Sequence, residues 1–158
     1  MTIEEKIEQL GITLPPAPKP LGSYVPCILT GNLLFLSGIL PLRDGKLSKT
    51  GRVGANISVD EAGQDARQAV INALAIIKSA IVKLDNVRKC VKLTGYIASS
   101  PDFTEQPRVL NAASDLLFDI FGEAGRHARS AIGVNVLPLN SPVEIDFIFE
   151  VSGDILVL

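Results

Sequence analysis

The residue best suited to chemistry in this chain is Arg129, which stands at the head of an otherwise apolar strand pattern. An arginine is permanently charged and can bind a planar carboxylate through two parallel hydrogen bonds, which a lysine cannot do. One interpretation of Arg129 is therefore a binding group for a small carboxylate ligand. The other is a cross-strand ion pair with Glu150, which requires no ligand.

The register between the last two predicted strands helps to decide between a ligand-binding role and an ion pair for Arg129. These strands are 129–137 and 143–151. They flank a turn that contains two prolines, and a hairpin that reverses in the middle of this turn places Arg129 opposite Glu150. In that hairpin Glu144 lies about six residues from Arg129, or roughly 20 Å at the usual strand rise. We therefore expect Arg129 and Glu144 to share a small-molecule site only across a boundary between subunits. From the residues alone, the ion pair is slightly favoured over a ligand site.

The same two strands also predict which side chains face the core, because side chains alternate along a strand. Every second residue of 143–151, counted from Val143 to Val151, is apolar. In the preceding strand we expect Ser130, Ile132 and Val134 to join them beneath the helices. Arg129 then lies on the opposite, more polar face, where it meets water, a ligand or another subunit.

Capping boxes and hydrophobic periodicity predict the helices. Thr2 with Glu5 is expected to begin a short helix, and Ser58 with Glu61 to begin the longest helical pattern in the chain. A further helix is expected over residues 107–122, because proline is tolerated in a first turn. These helices require a sheet on which to pack.

The remaining elements are strands and connections. Two short strands, 24–30 and 33–38, are expected to pair directly around a Gly-Asn turn, and a longer strand is expected over 87–98. The segment 14–20 contains four prolines and is predicted to lie extended over the surface as a strap. The run 43–55 is predicted to be a loop or a short irregular hairpin.

Composition narrows the class of protein. The 158 residues carry a net charge of −2 with a pI near 5.4, so the positive charge typical of a nucleic-acid binder is missing. We interpret residues 1–158 as a single domain, with a helix and strap in 1–20 and the core in 21–152. No apolar run approaches membrane-spanning length and the N-terminus does not resemble a secretion signal, so we expect a cytoplasmic protein. Cys27 and Cys90 are expected to be buried free thiols.

Several short blocks, in order, resemble those of the RidA (YjgF) family, whose members are also described as L-PSP endoribonucleases or translation inhibitors. These blocks are Gly22-Ser23-Tyr24-Val25, Leu36-Ser37-Gly38-Ile39-Leu40-Pro41, Asn111-Ala112, Ala128-Arg129-Ser130-Ala131, and Leu137-Pro138 with Val143-Glu144-Ile145. Each block is weak alone, but their order and matching secondary structure make the resemblance fairly specific over about 21–151.

The resemblance implies an α+β, chorismate-mutase-like fold, in which two helices pack on one face of a mixed β-sheet. It also implies a homotrimer with three clefts between subunits. The implied activity is hydrolysis of reactive enamines and imines, of the 2-aminoacrylate type, to 2-keto acids and ammonia. No cofactor or metal is implied, and this is chemically reasonable because an imine carbon is already electrophilic.

The resemblance further implies the site residues. Arg129 would bind the substrate carboxylate, and Glu144 would be linked to the attacking water. The other cleft positions would be Tyr24, Ser37, Gly38, Asn111 and Ala131. His127, the only histidine, precedes the strand and is expected to be a solvent or interface residue.

Two departures from the family pattern keep other functions open. The position after Gly38, often glutamine in the family, is Ile39, and the position after Ser130, often cysteine, is Ala131. Together with the additional segment 44–56, they indicate a divergent branch. A non-catalytic binder of small carboxylate metabolites is the first alternative. An endoribonuclease is the second, and the acidic pI disfavours it.

Overall fold

The computed structural model describes residues 1–156, and its three helices begin where the sequence predicts. Helix α1 spans Ile3–Gln9, α2 spans Val59–Ile81 and α3 spans Gln106–Phe121. In both predicted capping boxes the hydroxyl accepts from a backbone N–H and the glutamate accepts in return, at Thr2 and at Ser58. The predicted starts of α1 and α2 are thereby confirmed, and α3 lies within one residue of the predicted range 107–122 at each end.

Five strands form one mixed sheet in the order β1-β2-β5-β3-β4. Strands β1 (Cys27–Thr30) and β2 (Leu33–Leu36) form the predicted hairpin, although both are shorter than expected. The other strands are β3 (Val87–Ala98), β4 (Ala128–Val134) and β5 (Val143–Val151). Only β3 and β4 run parallel, and α3 is the connection between them.

The predicted hairpin between the last two strands is wrong. Strand β3 lies between β4 and β5 and bonds to both, so Arg129 is in register with Leu93 and has no direct partner on β5. The short turn after β4 indicated a hairpin because local signals favour neighbouring strands. In the observed order β3 forms backbone hydrogen bonds along both of its edges. Its parallel pairing with β4 is the usual product of a strand-helix-strand connection.

The predicted facing of β4 is also wrong, whereas that of β5 is confirmed. Leu93 is fully buried beneath the helices, so its partner Arg129 lies on the helix side of the sheet, and Ser130 and Ile132 lie on the open side. Strand β4 is an edge strand covered on its helix side by α3 alone. Small residues such as Ala131 are enough to pack against α3 on this side. On the open side, Ile132 stays 41% exposed.

The core lies between the sheet and the two long helices. The alternate residues of β5 from Val143 to Val151 are all buried, and α2 contributes an alanine-rich face against them. Cys27 and Cys90 are buried free thiols as predicted. Within residues 1–156, no helix is both long enough and apolar enough to cross a membrane.

Candidate functional site

Arg129 is held by two residues of helix α3. Its Nη1 donates to Asn111 Oδ1 at 3.0 Å and to Ser114 Oγ at 3.1 Å. Asn111 and Ser114 are three residues apart and therefore lie on one face of the helix. The structure thus brings together Arg129 and Asn111, two of the residues for which the resemblance implied a common cleft.

The alternative interpretation of Arg129 as the partner of Glu150 is wrong. Glu150 lies on the open face of β5, where it forms a salt bridge with Lys89 at 3.3 Å and accepts from Asn32 at 3.0 Å. Among residues 1–156, no carboxylate lies within 4.0 Å of the Arg129 guanidinium. Its contacts are with neutral oxygens, so its positive charge is available to an anionic ligand.

A second cluster forms near the start of β5, around a cavity of about 270 Å³. Four residues implied by the resemblance line it: Tyr24, Ser37, Gly38 and Glu144. The hydroxyl of Ser37 donates to the Val25 carbonyl at 2.6 Å, and the hydroxyl oxygen of Tyr24 accepts from the Leu21 N–H at 3.2 Å. The Tyr24 proton and the Ser37 lone pairs therefore remain available for a ligand.

Glu144 contributes the carboxyl group in the lining of this cavity, and it is packed against Gly38. A Cβ atom added at Gly38 would collide with Glu144 Oε1 and would lie 3.0 Å from its Cδ. The carboxyl is half-buried, and burial, followed by the nearby negative charge of Asp146, raises the pKa of Glu144 above its ordinary value. A raised pKa suits a carboxyl group that must accept and return a proton near neutral pH.

The remainder of the cavity wall is almost entirely apolar. The strap contributes Pro18, Lys19 and Pro20, of which only Lys19 is charged, and Leu21 follows directly after it. The other apolar lining residues are Pro26, Ile39, Leu40, Leu42, Ile76 and Pro138. The strap predicted from its prolines is therefore one side of this cavity, and Ile39 lies in the wall as the sequence departure suggested.

The two clusters are separated within one chain. Arg129 with Asn111 lies on the helix side of edge strand β4, as does Ala131, whereas Glu144 lies on the open side of β5, two strands away. Two strand spacings amount to about 10 Å, and the offset along the strands adds about 10 Å more. One small ligand cannot contact Arg129 and Glu144 of the same chain.

Sequence reasoning missed Ser114, which contacts both Arg129 and His127. The ring of His127 lies 2.9 Å from Ser114 Oγ through Nε2, and 2.7 Å from the Gly125 carbonyl oxygen through Nδ1. The spacing of Ser114 from Asn111 was the available signal. This spacing did not lead to a prediction for Ser114, because Arg129 had been assigned to the face of β4 that points away from the helices.

Comparison with known families agrees with this arrangement of elements. The model of the YjgF/chorismate mutase-like family, whose description also carries the word endoribonuclease, matches residues 4–151. The chain belongs to this family. The chorismate-mutase-like α+β fold implied by the sequence blocks is thereby confirmed, with a five-stranded mixed sheet and three helices.

Individual members of the YjgF-like family differ in how closely they match. Protein TCP17 of Trypanosoma cruzi is 40% identical over 152 residues, which cover 96% of this chain and 95% of that protein. A 2-iminobutanoate/2-iminopropanoate deaminase of Dermatophagoides farinae is 30% identical over 146 residues, covering 89% and 95%. A solved structure of an Agrobacterium tumefaciens protein of unknown function has 43% identity and a TM-score of 0.87, covering 95% and 92%.

The packing of Glu144 against Gly38 yields a testable prediction. In Gly38→Ala the new Cβ displaces the Glu144 carboxyl toward solvent, so its pKa falls back toward the ordinary glutamate value. The pKa is measured by following the glutamate side-chain carboxyl carbons by NMR across a pH titration, with Glu144→Gln to assign the signal.

The matched control is Gly63→Ala, in which the new Cβ meets Ala112 Cβ at an ordinary distance of 3.5 Å. Gly63 lies in α2, and its replacement is expected to leave the Glu144 titration unchanged. An unaltered Glu144 pKa in Gly38→Ala would contradict the packing described.

Proposed function

We propose that this chain hydrolyses 2-imino acids to 2-keto acids and ammonia, at sites that join the Arg129 cluster of one subunit to the Glu144 cavity of another. The observation that supports this proposal most strongly is the set of groups that surround the Arg129 guanidinium. The guanidinium is held by two neutral oxygens, and no carboxylate of residues 1–156 lies within 4.0 Å of it. A charge so arranged can bind the carboxylate that every 2-imino acid carries.

The chemistry requires only positioning and the transfer of two protons from water to nitrogen. With the substrate carboxylate on Arg129, Glu144 of the other subunit takes a proton from water as the water oxygen bonds to the imine carbon. The protonated Glu144 passes this proton to nitrogen, which gives a carbinolamine. Glu144 then takes the second proton, from the carbinol hydroxyl, and passes it to nitrogen as the C–N bond breaks, so that a keto group forms and ammonia leaves. The raised pKa of Glu144 brings both proton transfers closer to balance.

The open face of the sheet supports association of subunits. It carries apolar side chains that remain exposed in the single chain, among them Ile28, Phe35 and Ile132. Burying such a surface against other copies is favourable. We propose the homotrimer that the family resemblance implied, because a heterologous contact repeated around a ring supplies one such site at each boundary.

The proposal predicts that Arg129 is essential for turnover and that lysine cannot replace it. Arg129→Lys keeps a positive charge but loses the bidentate geometry. Since hydrogen bonds to charged groups are worth about 1.5–3 kcal/mol, kcat/KM should fall roughly 10- to 100-fold. Arg129→Ala should lose at least as much. The measurement is ammonia release, above the spontaneous rate, from 2-aminoacrylate generated enzymatically.

The matched control is Arg108→Ala, which removes an exposed arginine that forms a salt bridge with Glu105, three residues away on the chain. Its activity should equal that of the parent. Full turnover in Arg129→Ala would contradict the proposal. Binding of 2-keto acids by the parent chain without any turnover would instead favour the carboxylate-binding alternative, for which the apolar Ile39 is the specific observation.

The cavity wall predicts which imines react fastest. The cavity has a volume of about 270 Å³ and a mostly apolar lining, whereas 2-aminoacrylate is a small, polar ligand. The apolar lining favours an aliphatic side chain by about 0.8 kcal/mol per buried CH₂ group. We therefore expect a higher kcat/KM for the imine derived from leucine than for that derived from serine. In Ile39→Gln this preference should shrink, and an equal or reversed preference in the parent chain would refute the assignment.

A further inference from the structure

His127 is the only histidine of the chain, and its two hydrogen bonds fix its tautomer. Its Nδ1 lies 2.7 Å from the Gly125 carbonyl oxygen. A carbonyl oxygen can only accept, so Nδ1 carries the proton and donates. In the neutral ring Nε2 is then an acceptor, and the Ser114 hydroxyl, 2.9 Å away, must donate to it.

The Ser114 oxygen also accepts from Arg129 Nη1, so three side chains form one directed chain of hydrogen bonds. It runs from the guanidinium to the Ser114 oxygen, from the Ser114 hydroxyl to His127, and from His127 to the Gly125 carbonyl. Gly125 is itself fixed by packing, because a Cβ there would collide with the Leu117 carbonyl of α3. This series of hydrogen bonds therefore ends at a backbone carbonyl in a tightly packed part of the molecule.

The same series of hydrogen bonds also determines which edge of the Arg129 guanidinium remains free. Nη1 carries two hydrogens, and Asn111 Oδ1 and Ser114 Oγ each accept one of them. The remaining N–H groups belong to Nη2 and Nε, which together form one edge of the guanidinium. That edge matches a carboxylate through two parallel hydrogen bonds.

We propose that Ser114 and His127 are positioning residues, which hold the Arg129 guanidinium with its Nη2–Nε edge presented to the ligand carboxylate. His127 orients the Ser114 hydroxyl, and the Ser114 oxygen together with Asn111 fixes Nη1. This assignment rests on the proposed function for the identity of the ligand. The hydrogen-bond chain itself does not depend on it.

A different role for the same groups has a specific obstacle. A hydroxyl bonded to an imidazole that is oriented by a third group is the arrangement of an activated nucleophile. Here the Ser114 oxygen already accepts a charge-assisted hydrogen bond from Arg129, which occupies one of its two lone pairs and lowers the electron density on the oxygen that would attack. The serine is therefore better suited to holding the arginine than to forming a covalent bond.

The first arm of the test is spectroscopic and needs no substrate. Because His127 is the only histidine, ¹⁵N labelling of histidine gives one imidazole to assign. At a pH where the ring is neutral, a long-range ¹H–¹⁵N spectrum should show Nδ1 protonated and Nε2 unprotonated, and Ser114→Ala should shift the Nε2 resonance. The opposite tautomer in the parent chain would overturn the proposal.

The second arm uses 2-oxobutanoate, a stable 2-keto acid, as the carboxylate probe. Ser114→Ala should weaken its binding about tenfold, Ser114→Thr should restore most of the affinity because it keeps the hydroxyl, and His127→Ala should weaken it several-fold. The matched control is Ser79→Ala, a helical serine whose hydroxyl donates to the Ile76 carbonyl. Unchanged affinity in Ser114→Ala would overturn the proposal.

Where the parent chain turns over imines, Ser114→Ala should raise KM about tenfold and His127→Ala several-fold, and each should change kcat by less than threefold. A loss confined to kcat would overturn the positioning role. Absence of turnover in the parent chain would count against the proposed function alone, since the tautomer and the 2-oxobutanoate affinity decide the positioning role independently.

Discussion

The parallel pairing of β3 with β4 is the constraint on which the rest of this molecule depends. The pairing sets Arg129 beside the fully buried Leu93 and so turns the arginine toward helix α3. Helix α3 is also the connection that makes the pairing parallel, which means that the element covering Arg129 is the one that positions its strand. The contacts of Arg129 with Asn111 and Ser114 follow from this single unit.

The same constraint separates the two halves of the candidate site. With β3 inserted between β4 and β5, Arg129 and Glu144 lie on opposite faces and two strands apart. Each half is nevertheless well defined. One half is a cation held by neutral oxygens, and the other is a half-buried carboxyl packed against Gly38 in a mostly apolar cavity. Such halves can cooperate only if a second copy of the chain completes each site.

Sequence reasoning succeeded where the signal was local. Both capping boxes, at Thr2 and Ser58, predicted helix starts, because a cap and its helix lie within four residues of each other. It failed where the arrangement depends on pairing between distant segments. The alternation of β5 identified its buried face, since every second residue is apolar, but the alternation of β4 was misleading because an edge strand against a helix buries small residues instead.

In the candidate site, too, local sequence signals were informative and the spatial arrangement was not predicted. The sequence blocks identified Arg129, Asn111 and Glu144, but not the geometry that joins two of them and separates the third. Ser114 was missed because its role depends on two partners, Arg129 and His127, that only the folded chain brings within hydrogen-bond distance. The strap was predicted from its prolines, yet its contact with the Glu144 cavity required tertiary structure.

The central claim is that each site takes Arg129 from one subunit and Glu144 from another, and subunit mixing tests it most directly. Arg129→Ala and Glu144→Gln are each expected to be inactive toward 2-imino acids. When equal amounts are refolded together, about one quarter of the sites should receive both intact halves, because each half is drawn at random. Recovery of roughly that fraction of the parent activity is the predicted result. A mixture that contains mixed oligomers and stays as inactive as its two components, while the parent chain is active, would contradict the account.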